Sequence, residues 1–308
     1  MSLNFICIGA QKAGTTWLFK RLSELNDFNM LPVKEIHYFD KSDQYPTRSL
    51  IKNNRFIKKI QDPYWRKYST GDILASIKSG KGLIFKLKYY YFNSAYNDEW
   101  YLSLFKNRSG ICGDITPGYA LLKTADIQRM KIMAPDAKII YLLRNPIDRA
   151  WSQYKYARRH KKFHQIDIED AKSFFNSDKM NLRNNYLETL RKYAKVYEEN
   201  QLMIVFYDAI IQQPKQLLTQ IVSFIGGNIT NTKPEKLNLR SRDNSSLKME
   251  IPDELHQLLT ERYLNDIQQL SDIFGGYFSD WINPEKNISA KQPVIIINQK
   301  LINELKKM

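Results

Sequence analysis

Residues Gly9-Ala10-Gln11-Lys12-Ala13-Gly14-Thr15-Thr16 follow directly on the apolar run Leu3–Ile8 and precede a helix-like stretch opened by Trp17 and Leu18. Two glycines framing four residues make a loop whose backbone N–H groups can cradle an anion, with a helix N-terminus behind it. In a nucleotide triphosphatase such a loop ends in Gly-Lys-Ser/Thr, and the lysine reaches the β and γ phosphates. Here Thr15 holds that position, and the lysine, Lys12, lies inside the loop. The hydroxyls of Thr15 and Thr16 fall at the helix start, where N–H groups without helical partners gather. The pattern implies a nucleotide with a short 5′ end, charged differently from a triphosphate. A strand-turn-helix with incidental glycines is the alternative; the agreement of frame, strand and helix weighs against it.

A second constellation is Tyr141-Leu142-Leu143-Arg144-Asn145-Pro146-Ile147-Asp148-Arg149-Ala150-Trp151-Ser152-Gln153-Tyr154. A buried strand ends at Arg144, and Pro146 suits the first helical position, where its missing N–H costs nothing. Arginine at the carboxyl end of a strand points a fork of donors into the crevice where α/β sheets bind ligands. Ser152, two turns further on, adds a hydroxyl, and the pair suits a second phosphate. A strand built to hold Mg²⁺ would end in aspartate, which argues against a metal-dependent phosphotransferase.

Together these segments resemble the sulfotransferases that use 3′-phosphoadenosine 5′-phosphosulfate (PAPS). Gln11-Lys12-Ala13-Gly14-Thr15-Thr16-Trp17 looks like that family's 5′-phosphosulfate loop, and Arg144-Asn145-Pro146 with Arg149, Ala150, Ser152 and Tyr154 like its 3′-phosphate motif. Lys34-Glu35-Ile36-His37-Tyr38-Phe39-Asp40 is similar to a segment of the heparan-sulfate-type branch and its bacterial relatives, as is the Gly113-Asp114-Ile115-Thr116-Pro117-Gly118-Tyr119 turn. Val205-Phe206-Tyr207-Asp208, then Pro214 and Phe224-Ile225-Gly226, resembles the family's late strand and helix. The resemblance implies PAPS as donor, adenosine 3′,5′-bisphosphate as product, no required metal, and in-line transfer to an acceptor hydroxyl, with an amine as the lesser option.

The resemblance also implies that Glu35 is the general base. In an extended segment Glu35 and His37, two apart, face the same side, and a carboxylate there could take the acceptor's proton. Related enzymes use histidine, so His37 is the alternative base or an acceptor-orienting group. A purely structural pairing of Glu35 with Lys34 or His37 is the third option. Asp40 is expected to order the segment or the acceptor, and Asp114 to bond the acceptor. The branch carries lysine where this chain has Ile115; Lys86 or Lys88, on an expected strand, could replace it. Arg240-Ser241-Arg242-Asp243-Asn244 falls where the family closes a basic loop over the 3′ phosphate and adenine, or is a surface turn. Rival functions are a P-loop kinase or nucleotide hydrolase, and a non-catalytic binder of acidic glycan.

The elements that must position these residues alternate. Strand-like runs are Leu3–Ile8, Leu83–Leu87, Ile111–Ile115, Lys138–Leu143 and Leu202–Tyr207; helix-like stretches are Thr15–Leu25, Ala125–Met133, Pro146–Arg159, Leu182–Glu199, Pro214–Ile225 and Pro252–Phe274. The strands are continuous apolar runs, as buried parallel strands are. The fold class is α/β, a parallel sheet with helices on both faces and a P-loop nucleotide-kinase-like sulfotransferase architecture. One domain, 1–308, is expected, with irregular substrate-side insertions at about 41–79 and 155–185 and an amphipathic helix at about 293–308. The net charge of +15 suits an anionic ligand or reflects a Lys-, Asn- and Ile-rich composition. No nucleic-acid signature, membrane span or signal peptide is read, and Cys7 and Cys112 suit buried thiols in a reducing compartment. The expectation is a bacterial, cytoplasmic enzyme acting on a small-molecule or glycan acceptor, with its oligomeric state open.

Overall fold

The computed structural model describes residues 3–52, 56–91, 95–159, 166–229, 239, 249–283 and 292–307. β1 (Leu3–Gly9) leads into α1 (Thr15–Ser23), followed by α2 (Phe56–Gln61), α3 (Pro63–Ser79), α4 (Leu83–Tyr90) and α5 (Asp98–Ser103). β2 (Cys112–Ile115) passes through a 3-10 turn (Pro117–Leu121) and α6 (Thr124–Met133) into β3 (Lys138–Leu143). Then come α7 (Pro146–Ala157), α8 (Ile168–Phe175), α9 (Asp178–Asn184), α10 (Tyr186–Ala194) and β4 (Leu202–Phe206). The chain ends in α11 (Tyr207–Gln212), α12 (Pro214–Phe224), α13 (Asp253–Phe274), α14 (Tyr277–Ile282), β5 (Val294–Ile296) and α15 (Gln299–Lys307).

The sheet order is β2-β1-β3-β4-β5. β1 pairs in parallel with β2 and β3, and β3 with β4. These strands are buried almost throughout, so their apolar side chains meet helices on either face. β1 and β3 lie side by side inside the sheet and end at the loop and next to Arg144, so their carboxyl ends bring the two motifs to one edge. Cys7 and Cys112 are both buried free thiols. Among the described residues, no helix is long and apolar enough to cross a membrane.

Several elements differ from the sequence reading. Leu83–Leu87 is not a strand but the body of α4, preceded by left-handed Gly82 and packed beside α3. A short apolar run does not by itself distinguish a strand from a helix. The fifth strand is instead β5, antiparallel to β4, so the sheet is mixed and the expected C-terminal helix begins only at Gln299. The expected helix Leu182–Glu199 divides at Asn185, whose side chain caps α10 by accepting from the Glu188 N–H. Segment 41–79 contains α2 and α3 rather than irregular chain. Asp62 caps α3 and Pro63 follows it, the ordinary start signals. The helix lacks a clean apolar stripe, because Trp65, Ser69 and Ser76 are buried while Leu74 and Ile77 are exposed. Segment 155–185 carries the end of α7, α8 and α9, with Arg158 gripping both oxygens of Asp170 at 2.7 Å.

Candidate active site

The loop after β1 is shaped by left-handed backbone. Lys12 (φ 71°) and Gly14 (φ 98°) both occupy that region. At Gly14 a Cβ would lie 2.5 Å from Ile210 Cδ1 and 3.2 Å from Tyr207 Cδ2, so glycine is required for conformation and for space. Gly14 is also the N-cap of α1 and carries no capping side chain, and no acidic residue stands in the first turn. The leading N–H groups of α1 therefore converge where an anion would be welcome. Thr15 is buried at this end. The Trp17 indole donates to the Leu239 carbonyl at 3.1 Å, while Trp151 and Lys155 of α7 donate to the Met249 carbonyl at 2.9 and 3.3 Å. Arg240, Ser241 and Arg242, between those anchors, lie outside the described residues.

Lys12 turns its ammonium over the Tyr156 ring, 4.2 Å from the centroid. Burial, then the positive charges of Arg144 and Arg159, lower its pKa to about 8. Its charge is therefore held less firmly than that of an exposed lysine.

Arg144 follows the last residue of β3. Its guanidinium lies 4.5 Å from the Tyr207 ring centroid, and 3.8 Å separates it from the Asp148 carboxylate. Its Nε is buried and has no hydrogen-bond partner among the described residues. Asn145 caps α7 by accepting from the Ile147 N–H at 3.0 Å, with Pro146 at the first turn. Ser152, buried on the same helix, follows two turns along. The Arg144 side chain keeps 21% of its surface exposed, and a guanidinium fork suits phosphate oxygens.

The Lys34–Asp40 segment passes close to the loop. Glu35 and His37 meet as expected, but not through extended backbone: both are left-handed, at φ 62° and 56°. The Glu35 N–H donates to the carbonyl of Ile115 at 3.2 Å, tying the segment to the end of β2. Lys34 Nζ lies 2.6 Å from Glu35 Oε1 and 3.4 Å from Thr15 Oγ1. His37 Nε2 is 3.6 Å from Glu35 Oε2, and its Nδ1 is 2.8 Å from Asp40 Oδ2. Tyr89 and Ser49 hydroxyls donate to the Ile36 and His37 carbonyls, both at 3.3 Å, fixing the bend from behind.

The charges divide the roles. Burial alone would discourage ionisation of Glu35, but Lys34, then His37, hold its carboxyl well below the usual carboxylate range. Burial likewise opposes a charged His37, yet Asp40, then Glu35, push its pKa up to about 10. At neutral pH the imidazole is protonated and has no lone pair to accept a proton. Glu35 beside it is ionised, with 39% of its side-chain surface open to solvent. Asp40 is fully buried and orients the imidazolium.

Two expected acceptor-binding residues lie elsewhere. Asp114 is buried in the wall and receives hydroxyl bonds from Thr116 (2.7 Å), Tyr119 (2.8 Å) and Tyr101 (3.0 Å). Burial raises its pKa to about 6 despite those three donors. It organises the aromatic layer beneath Tyr38 and does not face the cleft. Lys86, on α4, lies 3.7 Å from the Asp72 carboxylate and 3.4 Å from its carbonyl, so it does not take the place of a lysine at Ile115. Sequence reasoning named Lys34 only as a structural partner of Glu35 and Tyr207 only within a motif, and it passed over Tyr156, for whose place under Lys12 local sequence carries no signal.

The family described as the sulfotransferase domain matches residues 4–248, and the chain belongs to that family. A human relative, bifunctional heparan sulfate N-deacetylase/N-sulfotransferase 1, is 25% identical over an alignment of 149 residues that covers 44% of this chain and 17% of that protein. The match thus spans well under two thirds of the relative's length. A crystal structure of a sulfotransferase from Alicyclobacillus acidocaldarius has the same fold, with a TM-score of 0.61 and 22% identity over 91% of this chain and 99% of that one. The class is that of sulfotransferases, α/β proteins whose chemistry is transfer of a sulfuryl group.

Proposed function

We propose that this chain is a single-domain PAPS-dependent sulfotransferase with Glu35 as general base. The donor, when bound, supplies a sulfuryl group already activated on phosphate. Gln11 to Trp17 would hold its 5′ end, with Lys12 and the α1 N–H groups offsetting charge that grows on the leaving phosphate. Such preorganised donors are often the largest catalytic contribution. Arg144 and Ser152 would hold the 3′ phosphate, and the partly exposed guanidinium next to the end of β3 supports this. Arg240, Ser241 and Arg242 are further candidates to meet the same phosphate. Glu35 would take the proton of the acceptor hydroxyl, while His37, kept charged by Asp40, orients the carboxylate or the acceptor.

The single observation that carries this reading is Lys34, whose ammonium joins Thr15 at the anion-binding helix start to the Glu35 carboxylate. The base thus stands one side chain away from where the phosphosulfate would sit. An acceptor screen with labelled PAPS, followed by Glu35→Gln, tests it. The variant is expected to lose transfer by about 10²–10⁴-fold while binding adenosine 3′,5′-bisphosphate like the parent. Undiminished transfer by Glu35→Gln would sink the assignment.

A further inference from the structure

The sulfotransferase branch that this chain resembles has a lysine where β2 here ends in Ile115. The Ile115 side chain is buried in the core, so the end of β2 presents no charge to the cleft. Its carbonyl, however, holds the Glu35 N–H. Lys34, next along that segment, places its ammonium between two groups of different character: a carboxylate 2.6 Å away and a loop hydroxyl 3.4 Å away. The second contact is the informative one. Thr15 opens α1, so Lys34 already reaches the point where N–H groups await an anion.

We propose that Lys34 is a further catalytic residue: its ammonium, shared between Glu35 and Thr15 in the free protein, moves onto the oxygens of the transferring group when the loop is filled, in place of the lysine absent at Ile115. This rests on the donor and base assigned above. In the step, the acceptor O–H proton goes to Glu35 and the acceptor oxygen's electron pair forms the new S–O bond. The S–O bond to the 5′ phosphate breaks, leaving its pair on the phosphate oxygen. Lys34 gives up no proton; it meets negative charge on the sulfuryl and phosphate oxygens. Its departure from Glu35 also restores basicity that the ion pair suppresses, so the base becomes effective only beside a loaded donor.

The groups facing Glu35 set the outcome. Lys34 and His37 contact it, and the charges of Lys12 and the Tyr64 phenol feel it from the loop and from α3. With Lys34 removed, His37 remains, so Glu35 becomes an easier carboxylate to protonate without being orphaned.

The test compares Lys34→Met and Lys34→Arg with the parent protein. Adenosine 3′,5′-bisphosphate binding by titration calorimetry is expected to weaken about tenfold in Lys34→Met and to stay within about threefold in Lys34→Arg. The Glu35 carboxyl ¹³C resonance, identified by its loss in Glu35→Gln, is expected to titrate higher by a pH unit or more in Lys34→Met. Desulfation of PAPS with water as acceptor is expected to slow about 100-fold. If Lys34→Met moves the carboxyl titration but leaves bisphosphate affinity and desulfation as in the parent, Lys34 only neutralises Glu35 and the proposal falls. Failure of the parent itself to bind bisphosphate, or desulfation by Glu35→Gln as fast as by the parent, would overturn the donor or base assignment and this inference with it. Should Lys34→Met not fold, Lys34→Gln carries the same comparison.

Discussion

At the scale of residues, Lys34, Glu35, His37 and Asp40 form a chain of charges, and Lys12 in the loop feels Glu35 at its side. Lys12 is the member whose charge is least secure, with a pKa near 8. An anion in the loop favours its protonated form, so bisphosphate binding at pH 8 should take up a proton, and affinity should fall as pH rises through 8. Calorimetry in two buffers of different ionisation enthalpy reads that uptake directly; observed heats that do not depend on the buffer would show that Lys12 does not meet the ligand. Arg144 makes a separate prediction. Arg144→Ala should weaken binding of adenosine 3′,5′-bisphosphate by about 10–100-fold, the worth of a charge-assisted hydrogen bond, and binding of the 3′-dephospho nucleotide far less. Equal losses would mean that the arginine does not read the 3′ phosphate. The pairing of Glu35 with His37 was legible from their spacing, though the expected geometry was extended and the observed backbone is left-handed. The carboxylate of Asp40 behind the imidazole, which keeps His37 charged, comes from a bend that no local periodicity reveals.

At the scale of elements, the two motifs were readable because each follows a buried strand and opens a helix with ordinary start signals. Gly14 and the Asn145-Pro146 cap are such signals, and both stand at the starts of their helices. Gly14→Ala is expected to cost about 1–3 kcal/mol, since it adds backbone strain at φ 98° and a clash with Ile210. Denaturant unfolding should show a lower midpoint, with weaker bisphosphate binding in the folded variant; an unchanged midpoint would contradict the close packing of the loop against α11. The elements that were misread had weak local signals. Leu83–Leu87 offers five residues, too few to separate a strand from a helix. β5 has three residues, and only pairing with β4 makes it a strand.

At the scale of the whole molecule, the parallel α/β class was legible in the alternation of continuous apolar runs with longer periodic ones. The antiparallel edge was not, because it depends on the chain's last segment returning to β4. There Ile297, Ile302 and Leu305 are buried. Ending the chain before residue 293 would remove that burial, worth about 1.5–3 kcal/mol per side chain as an upper estimate, and would expose the β4 edge. The truncated protein is expected to melt several degrees lower and to scatter light at concentrations where the full chain does not; an unaltered melting temperature would show that the tail is dispensable. The central claim is that the loop and Arg144 together form a site for a nucleotide phosphorylated at both its 3′ and 5′ positions. Calorimetric titration of the full chain with adenosine 3′,5′-bisphosphate without Mg²⁺, and with ATP and Mg²⁺, tests it most directly. Tight binding of the bisphosphate and weak binding of ATP is the result predicted; strong Mg²⁺-dependent ATP binding with no affinity for the bisphosphate would contradict it.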